Sequence, residues 1–211
     1  MGLISVAVLY GGPPSLSAGA AGTLALAVLV AVAVLRSRVT LHGEGLRARS
    51  ILGTQEMLWQ DVELLYFSAS RVLAGFPAHS SFRLRLQSRD GQEIRIDNQV
   101  EESWVLGARV ADRTTTLLLP DALRRFESGA EVDFGPIQIC KGDGLRLTQT
   151  LAPLYIPWAH LGDYRIRRGF LFLRGTGKLT RKVKVATIPN VFVLAALLDH
   201  IGALPTAPTA D

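Results

Sequence analysis

An internal duplication restricts this chain's fold more than any other feature. Residues 39–67 align without gaps on residues 138–166, an offset of 99. Six of the 29 pairs are identical: Gly43/Gly142, Gly45/Gly144, Leu46/Leu145, Arg47/Arg146, Leu52/Leu151 and Trp59/Trp158. Glu44/Asp143, Met57/Ile156 and Val62/Leu161 match in type. A repeat at that distance points to two copies of one small module rather than one large domain.

Each copy reads mainly as β-structure. The Gly-acid-Gly step between apolar-alternating runs predicts a tight hairpin, since such turns favour glycine. Strands follow at 46–51 and 145–150, then an apolar-x-Trp-x-x-Val/Leu segment whose Trp59 or Trp158 is expected in the core. Further hairpins are expected around Asp90-Gly91 and around Gly175 to Gly177. Each copy should end in a helix entered through an asparagine cap, Asn98 or Asn190. Val100, Trp104, Ala108 and Ala111 mark the buried stripe of the first helix. Val191, Leu194, Ala195, Leu198 and Ile201 mark that of the second. Between the copies, Pro120 and Asp121 suit the first turn of a separate short helix ending near Gly129. Val132, Phe134, Ile137 and Ile139 then open the second copy.

The amino terminus is different in character. Met1 to Leu35 holds no Asp, Glu, Lys, Arg or His. Residues 16–35 are long enough as a helix to cross a hydrocarbon core about 30 Å thick. Arg36 and Arg38 follow directly, so the positive-inside bias predicts a single membrane span with everything after it in the cytoplasm. The run Leu3 to Tyr10 is too short to cross as a helix, and Gly11, Gly12, Pro13 and Pro14 separate it from the next.

Chemistry-bearing motifs are scarce. One cysteine, Cys140, excludes an intramolecular disulfide and reads as a small hydrophobe on a strand. The four histidines, His42, His79, His160 and His200, lie too far apart in sequence for a metal cluster. No G-x-S-x-G, Walker loop, H-E-x-x-H or C-x-x-C is present. Asp61 and His42 could form an acid/base pair, but Asp61 belongs to the repeated strand entry. The expectation is a protein without catalytic residues, metal or cofactor.

Charge is uneven. Residues 36–130 carry 13 basic and 12 acidic side chains, whereas residues 131–211 carry 10 and 6. The excess lies in Arg165, Arg167, Arg168, Arg174, Lys178, Arg181, Lys182 and Lys184. Strand alternation puts Lys182 and Lys184 on one face and Val183 and Val185 on the other. Beside a membrane, such a surface would be drawn to anionic lipid by about 1 kcal/mol per basic residue. Arg165, Arg167, Arg168, Lys178, Arg181, Lys182 and Lys184 are the candidate lipid-binding residues. No aromatic-basic pattern of an RNA-binding sheet and no helix-turn-helix signature is visible along the chain, which argues against nucleic acid as partner.

The two motifs, Gly43-Glu44-Gly45-Leu46 with Trp59-Gln60-Asp61-Val62 and Gly142-Asp143-Gly144-Leu145 with Trp158-Ala159-His160-Leu161, carry a resemblance. The chain resembles the pleckstrin-homology-like (PH-like) superfamily, and within it bacterial membrane-anchored proteins of a domain-of-unknown-function family with PH-like repeats. His160 stands where an acidic residue is expected and Pro157 is unusual beside Trp158, so the second copy is less typical. The resemblance implies bent antiparallel sheets or barrels, each closed by a carboxy-terminal helix and used as binding modules.

The expected organisation is a lead-in and membrane helix at 1–38, a first PH-like domain with linker helix at 39–129, a second at 130–204 and a disordered tail at 205–211. The expected function is that of a single-pass cell-membrane protein presenting a binding or scaffold surface in the cytoplasm. Its partner would be a protein or peptide, or alternatively anionic lipid.

Overall fold

The computed structural model describes residues 38–50, 53–72, 79–97, 103–148, 153–175 and 180–203, together with Thr23. Among these the architecture is mainly β, with four small antiparallel sheets and two long α-helices.

The first half opens with the meander β1 (Arg38–Leu41), β2 (Gly45–Ser50) and β3 (Gly53–Leu58). A 3-10 turn at Trp59–Asp61 leads into the meander β4 (Val62–Val72), β5 (His79–Ser88) and β6 (Glu93–Asp97). Helix α1 (Ser103–Glu127) follows. The second half has an additional leading strand. Its first sheet is β7 (Val132–Phe134), β8 (Ile137–Cys140), β9 (Gly144–Leu147) and β10 (Leu154–Ile156), in the order β10-β9-β8-β7. A 3-10 turn at Trp158–His160 leads to β11 (Leu161–Arg167), β12 (Phe170–Gly175) and β13 (Thr180–Lys184). Helix α2 (Val191–Ala203) closes this half.

The offset of 99 carries into three dimensions. Strand β1 maps onto β8, and the turn Trp59–Asp61 onto Trp158–His160, residue for residue. The register shift between Val62 and Leu64 recurs between Leu161 and Asp163. Two contacts explain the shared motif. The Trp59 indole donates to the His42 carbonyl (3.1 Å), and the Trp158 indole to the carbonyls of Cys140 and Lys141 (3.0 Å each), tying each strand entry to the Gly-acid-Gly turn. A Cβ on Gly45 would lie 2.3 Å from the Met57 carbonyl oxygen, and one on Gly144 2.3 Å from that of Ile156. Only glycine lets the two strands approach there.

Two cores result. The first gathers Leu46, Met57, Trp59, Val62, Leu65, Leu84, Leu86, Ile94 and Ile96 between its sheets. The second gathers Ile137, Ile139, Leu145, Ile156, Leu171, Leu173 and Val183 with Leu194, Leu197 and Leu198 of α2. Helix α1 serves both: Val110 and Ala111 enter the first core, Ala122 and Phe126 the second.

Several expectations need correction. The single-pass membrane protein is not supported, because no helix among the described residues is long and apolar enough to cross a membrane. The expected span at 16–35 lies outside the described residues except for Thr23. Among the described residues the fold class is therefore mainly β with two long helices and no helix able to cross a membrane, which overturns the expected integral-membrane partner and single-pass localisation. The two helices expected between the copies are one. Pro120 sits inside α1, where its missing N–H leaves the Thr116 carbonyl without its usual amide partner. The buried stripe of α1 is also different. Trp104 is 61% exposed, while Val110, Ala111 and Thr114 are buried. Gly107 sets that rotation, since a Cβ there would lie 2.0 Å from the Phe82 ring. The cap at Asn98, the loop holding Lys178 and the tail at 205–211 lie outside the described residues.

Candidate functional site

Strand β4 is the edge of its sheet, and α1 runs alongside it. The groove between them is filled by the chain itself. Pro189 forms an antiparallel bridge with Tyr66. Asn190 donates its amide to the Leu65 carbonyl (2.7 Å), while its side-chain oxygen accepts from the Leu65 amide (2.8 Å) and its side-chain nitrogen donates to the Glu63 carbonyl (2.9 Å). Phe192 then turns inward and meets Phe67 edge to face at 5.2 Å. Phe82 and Trp104 complete an aromatic cluster around a residual apolar cavity of about 370 Å³.

Asn190 therefore does not act as the expected side-chain cap. Its carbonyl accepts the first helical bond, from the Leu194 amide (3.0 Å), but its side chain is spent on β4. Its φ of +52° is a left-handed conformation that asparagine tolerates better than most residues.

The repeat defines the corresponding groove in the second half, between β11 and α2. Glu63 and Leu65 map onto Gly162 and Tyr164 at the offset of 99. Strand β11 pairs with β12 on one side, and no described strand borders its other edge. The open groove encloses about 630 Å³ and is lined by Trp158, Leu161, Gly162 and Tyr164 on one wall and Leu198, Asp199, Ile201 and Gly202 on the other. The Tyr164 hydroxyl donates to Asp199 (2.5 Å) and lies 3.0 Å from the Ala195 carbonyl oxygen. Burial, reinforced by the hydrogen bond to Asp199, pushes the phenol well above its ordinary pKa, so it remains a donor. Asp163 sits at the rim, 2.9 Å from the Arg165 guanidinium.

The sequence candidates divide among three places. Arg165, Arg167, Lys182 and Lys184 share the outer face of β11–β13, as register fixes Arg165 and Lys182 opposite Phe172 and Arg167 and Lys184 opposite Phe170. Arg174 joins them one pair further along β12. Arg168 is at the tip of the β11–β12 hairpin with φ +51°. Arg181 pairs with Leu173, so its Cβ leaves the opposite face of the sheet, the one that carries the core. Sequence reading saw the cations but not the two phenylalanines among them, because their alignment comes from pairing across three strands.

Elsewhere the chemistry is structural. Cys140 is half-buried on β8, and burial, helped by Glu131 and Asp143, raises its thiol pKa and disfavours the thiolate. The main-chain carbonyl of His42 holds the Trp59 indole, and that of Asp61 accepts the Arg89 amide (3.1 Å). Among the described residues no group of three or more His, Cys, Asp or Glu side chains could hold a metal ion.

Fold and grooves together define a class: a duplicated, mainly β protein with two strand–helix grooves, of which the first takes residues 189–192 and the second takes no strand among the described residues. The chain belongs to the family of unknown function DUF6585, whose model matches residues 12–205. No match was found among curated proteins or solved structures.

Proposed function

We propose that this chain is a non-catalytic binding protein, in which two PH-like units form a scaffold and the groove between β11 and α2 takes an extended polypeptide segment by strand addition. One observation carries the reading: the corresponding groove of the first unit holds residues 189–192 through main-chain pairing and an inserted aromatic ring. Strand addition uses backbone groups for affinity and side-chain pockets for selectivity. The open groove offers the same two components, a strand edge at Gly162 to Tyr164 and an apolar floor at Leu161, Leu198 and Ile201.

A labelled peptide copying residues 186–194 is the probe, titrated into the full chain by fluorescence anisotropy. Saturable binding is expected, and Gly202→Trp should abolish it. Gly202 lines the groove, and no neighbour among the described residues lies within 4 Å of its Cβ position, so the indole blocks the site without disturbing the core. No binding, or binding indifferent to Gly202→Trp, would overturn the reading.

A further inference from the structure

The outer face of β11–β13 combines two features that charge alone does not require. Central strand β12 presents Phe170 and Phe172, both half-buried, with ring centroids 6.4 Å apart. Each ring is flanked on both sides by a cation: Arg165 and Lys182 beside Phe172, Arg167 and Lys184 beside Phe170. The Lys182 ammonium lies 5.5 Å from the Phe170 ring centre. Asp163 is the one carboxylate this face presents among the described residues, and it is engaged by Arg165. That leaves Arg167, Arg174, Lys182 and Lys184 without an ion-pair partner there.

The duplication supplies an internal control. On the equivalent face of the first half, Tyr66, Arg85 and Arg95 form the corresponding row, but Glu93 pairs with both arginines and Arg85 stacks over Tyr66 at 4.1 Å. The two faces therefore share a fold and differ in chemistry: among the described residues the first leaves only Arg83 without an ion pair, whereas the second leaves four cations so.

We propose, against the expectation from the linear sequence, whose aromatic-basic pattern forms only across three paired strands, that this face binds single-stranded nucleic acid, with successive bases stacking on Phe170 and Phe172 and the flanking guanidinium and ammonium groups holding the phosphates. An acidic polypeptide would satisfy the cations but leave the two rings unused. A base has a π-face for each ring, and its backbone places anions on either side. The surface is distinct from the β11–α2 groove and does not depend on peptide binding there.

The test titrates labelled oligothymidylate with the full chain by fluorescence anisotropy, alongside an abasic strand of the same length and polyglutamate. Affinity is expected to fall linearly in a log–log plot against salt, with a slope of about −0.7 per phosphate contacted. The abasic strand and the Phe170→Leu/Phe172→Leu variant should each bind at least about thirtyfold more weakly. Both rings lie on the outer face, so leucine there should preserve the fold, which circular dichroism would check. The abasic comparison is made on the unaltered protein. Absence of saturable binding at low salt, or equal affinity for the abasic strand or polyglutamate, would overturn the proposal.

Discussion

Asn190 and Leu65, 125 positions apart, exchange two hydrogen bonds: the Asn190 amide donates to the Leu65 carbonyl, and the Leu65 amide donates to the Asn190 side-chain oxygen. This pair closes the edge of β4 with a residue from the other half of the chain. It also explains why a residue at a helix start turns its side chain away from that helix.

Asn190→Ala is expected to destabilise the protein by about 1–3 kcal/mol, because the Leu65 amide and the Glu63 carbonyl lose their partners. Asn190→Gly removes the same side-chain bonds but accepts the left-handed backbone without strain, and should be roughly 1 kcal/mol less damaging. Urea denaturation of both variants would separate the two contributions. Equal losses would mean that the backbone conformation costs nothing there.

The paired glycines give a prediction that runs in parallel through both halves. Gly45→Ala should cost roughly 2–3 kcal/mol, since a methyl group would be driven into a carbonyl oxygen of the neighbouring strand, and Gly144→Ala more, since it also forces alanine to a φ of +125°. Gly43→Ala and Gly142→Ala, two residues earlier in the same turns, meet open space and should stay within about 0.5 kcal/mol of the parent. Thermal denaturation of the four variants tests whether close approach keeps glycine at Gly45, and close approach together with a positive φ at Gly144.

Acid sensitivity should trace in part to Glu127 at the end of α1. Its carboxylate accepts from Lys141 (2.5 Å) and lies 3.5 Å from His200, and the Lys141 hydrogen bond holds its pKa below the ordinary 4.5. A depressed folded-state pKa means that the stabilisation is complete above the unfolded value and disappears as pH falls through the lower folded one. The pair is exposed, so the effect is small. Carboxyl chemical shifts followed by NMR should show the depression, and Lys141→Met should return Glu127 toward its ordinary value.

Much of this arrangement was legible in the sequence, because local chemistry dictates it. The Gly-acid-Gly turn and the tryptophan fourteen residues beyond its second glycine predict the same strand entry twice, and the pairing of β5 with β6 around Asp90-Gly91 follows from the turn residues. Relations between distant segments were not legible. Pro120 reads as a helix start in isolation, yet packing of Ala122 and Phe126 in one core and Val110 and Ala111 in the other holds a continuous helix through it. Burial of Phe126 alone contributes about 1.5–3 kcal/mol, comparable to the cost of the misplaced proline. The stripe of α1 was misplaced for a similar reason. Trp104 looked like a core residue, but Gly107 lets Phe82 occupy the position against the helix. The candidate site was half visible: the cations are evident in the linear chain, whereas their phenylalanine partners and the two strand–helix grooves exist only once strands are in register.

The helix that threads both cores makes the duplicated halves inseparable. A cut anywhere along α1 would strip one half of its lid or leave the other with a severed strut, so gene fragments ending near the middle of the chain would yield sticky, incomplete globules rather than two working copies. Because one helix fills both cores, heating is expected to melt the two halves in one transition, which calorimetry would check.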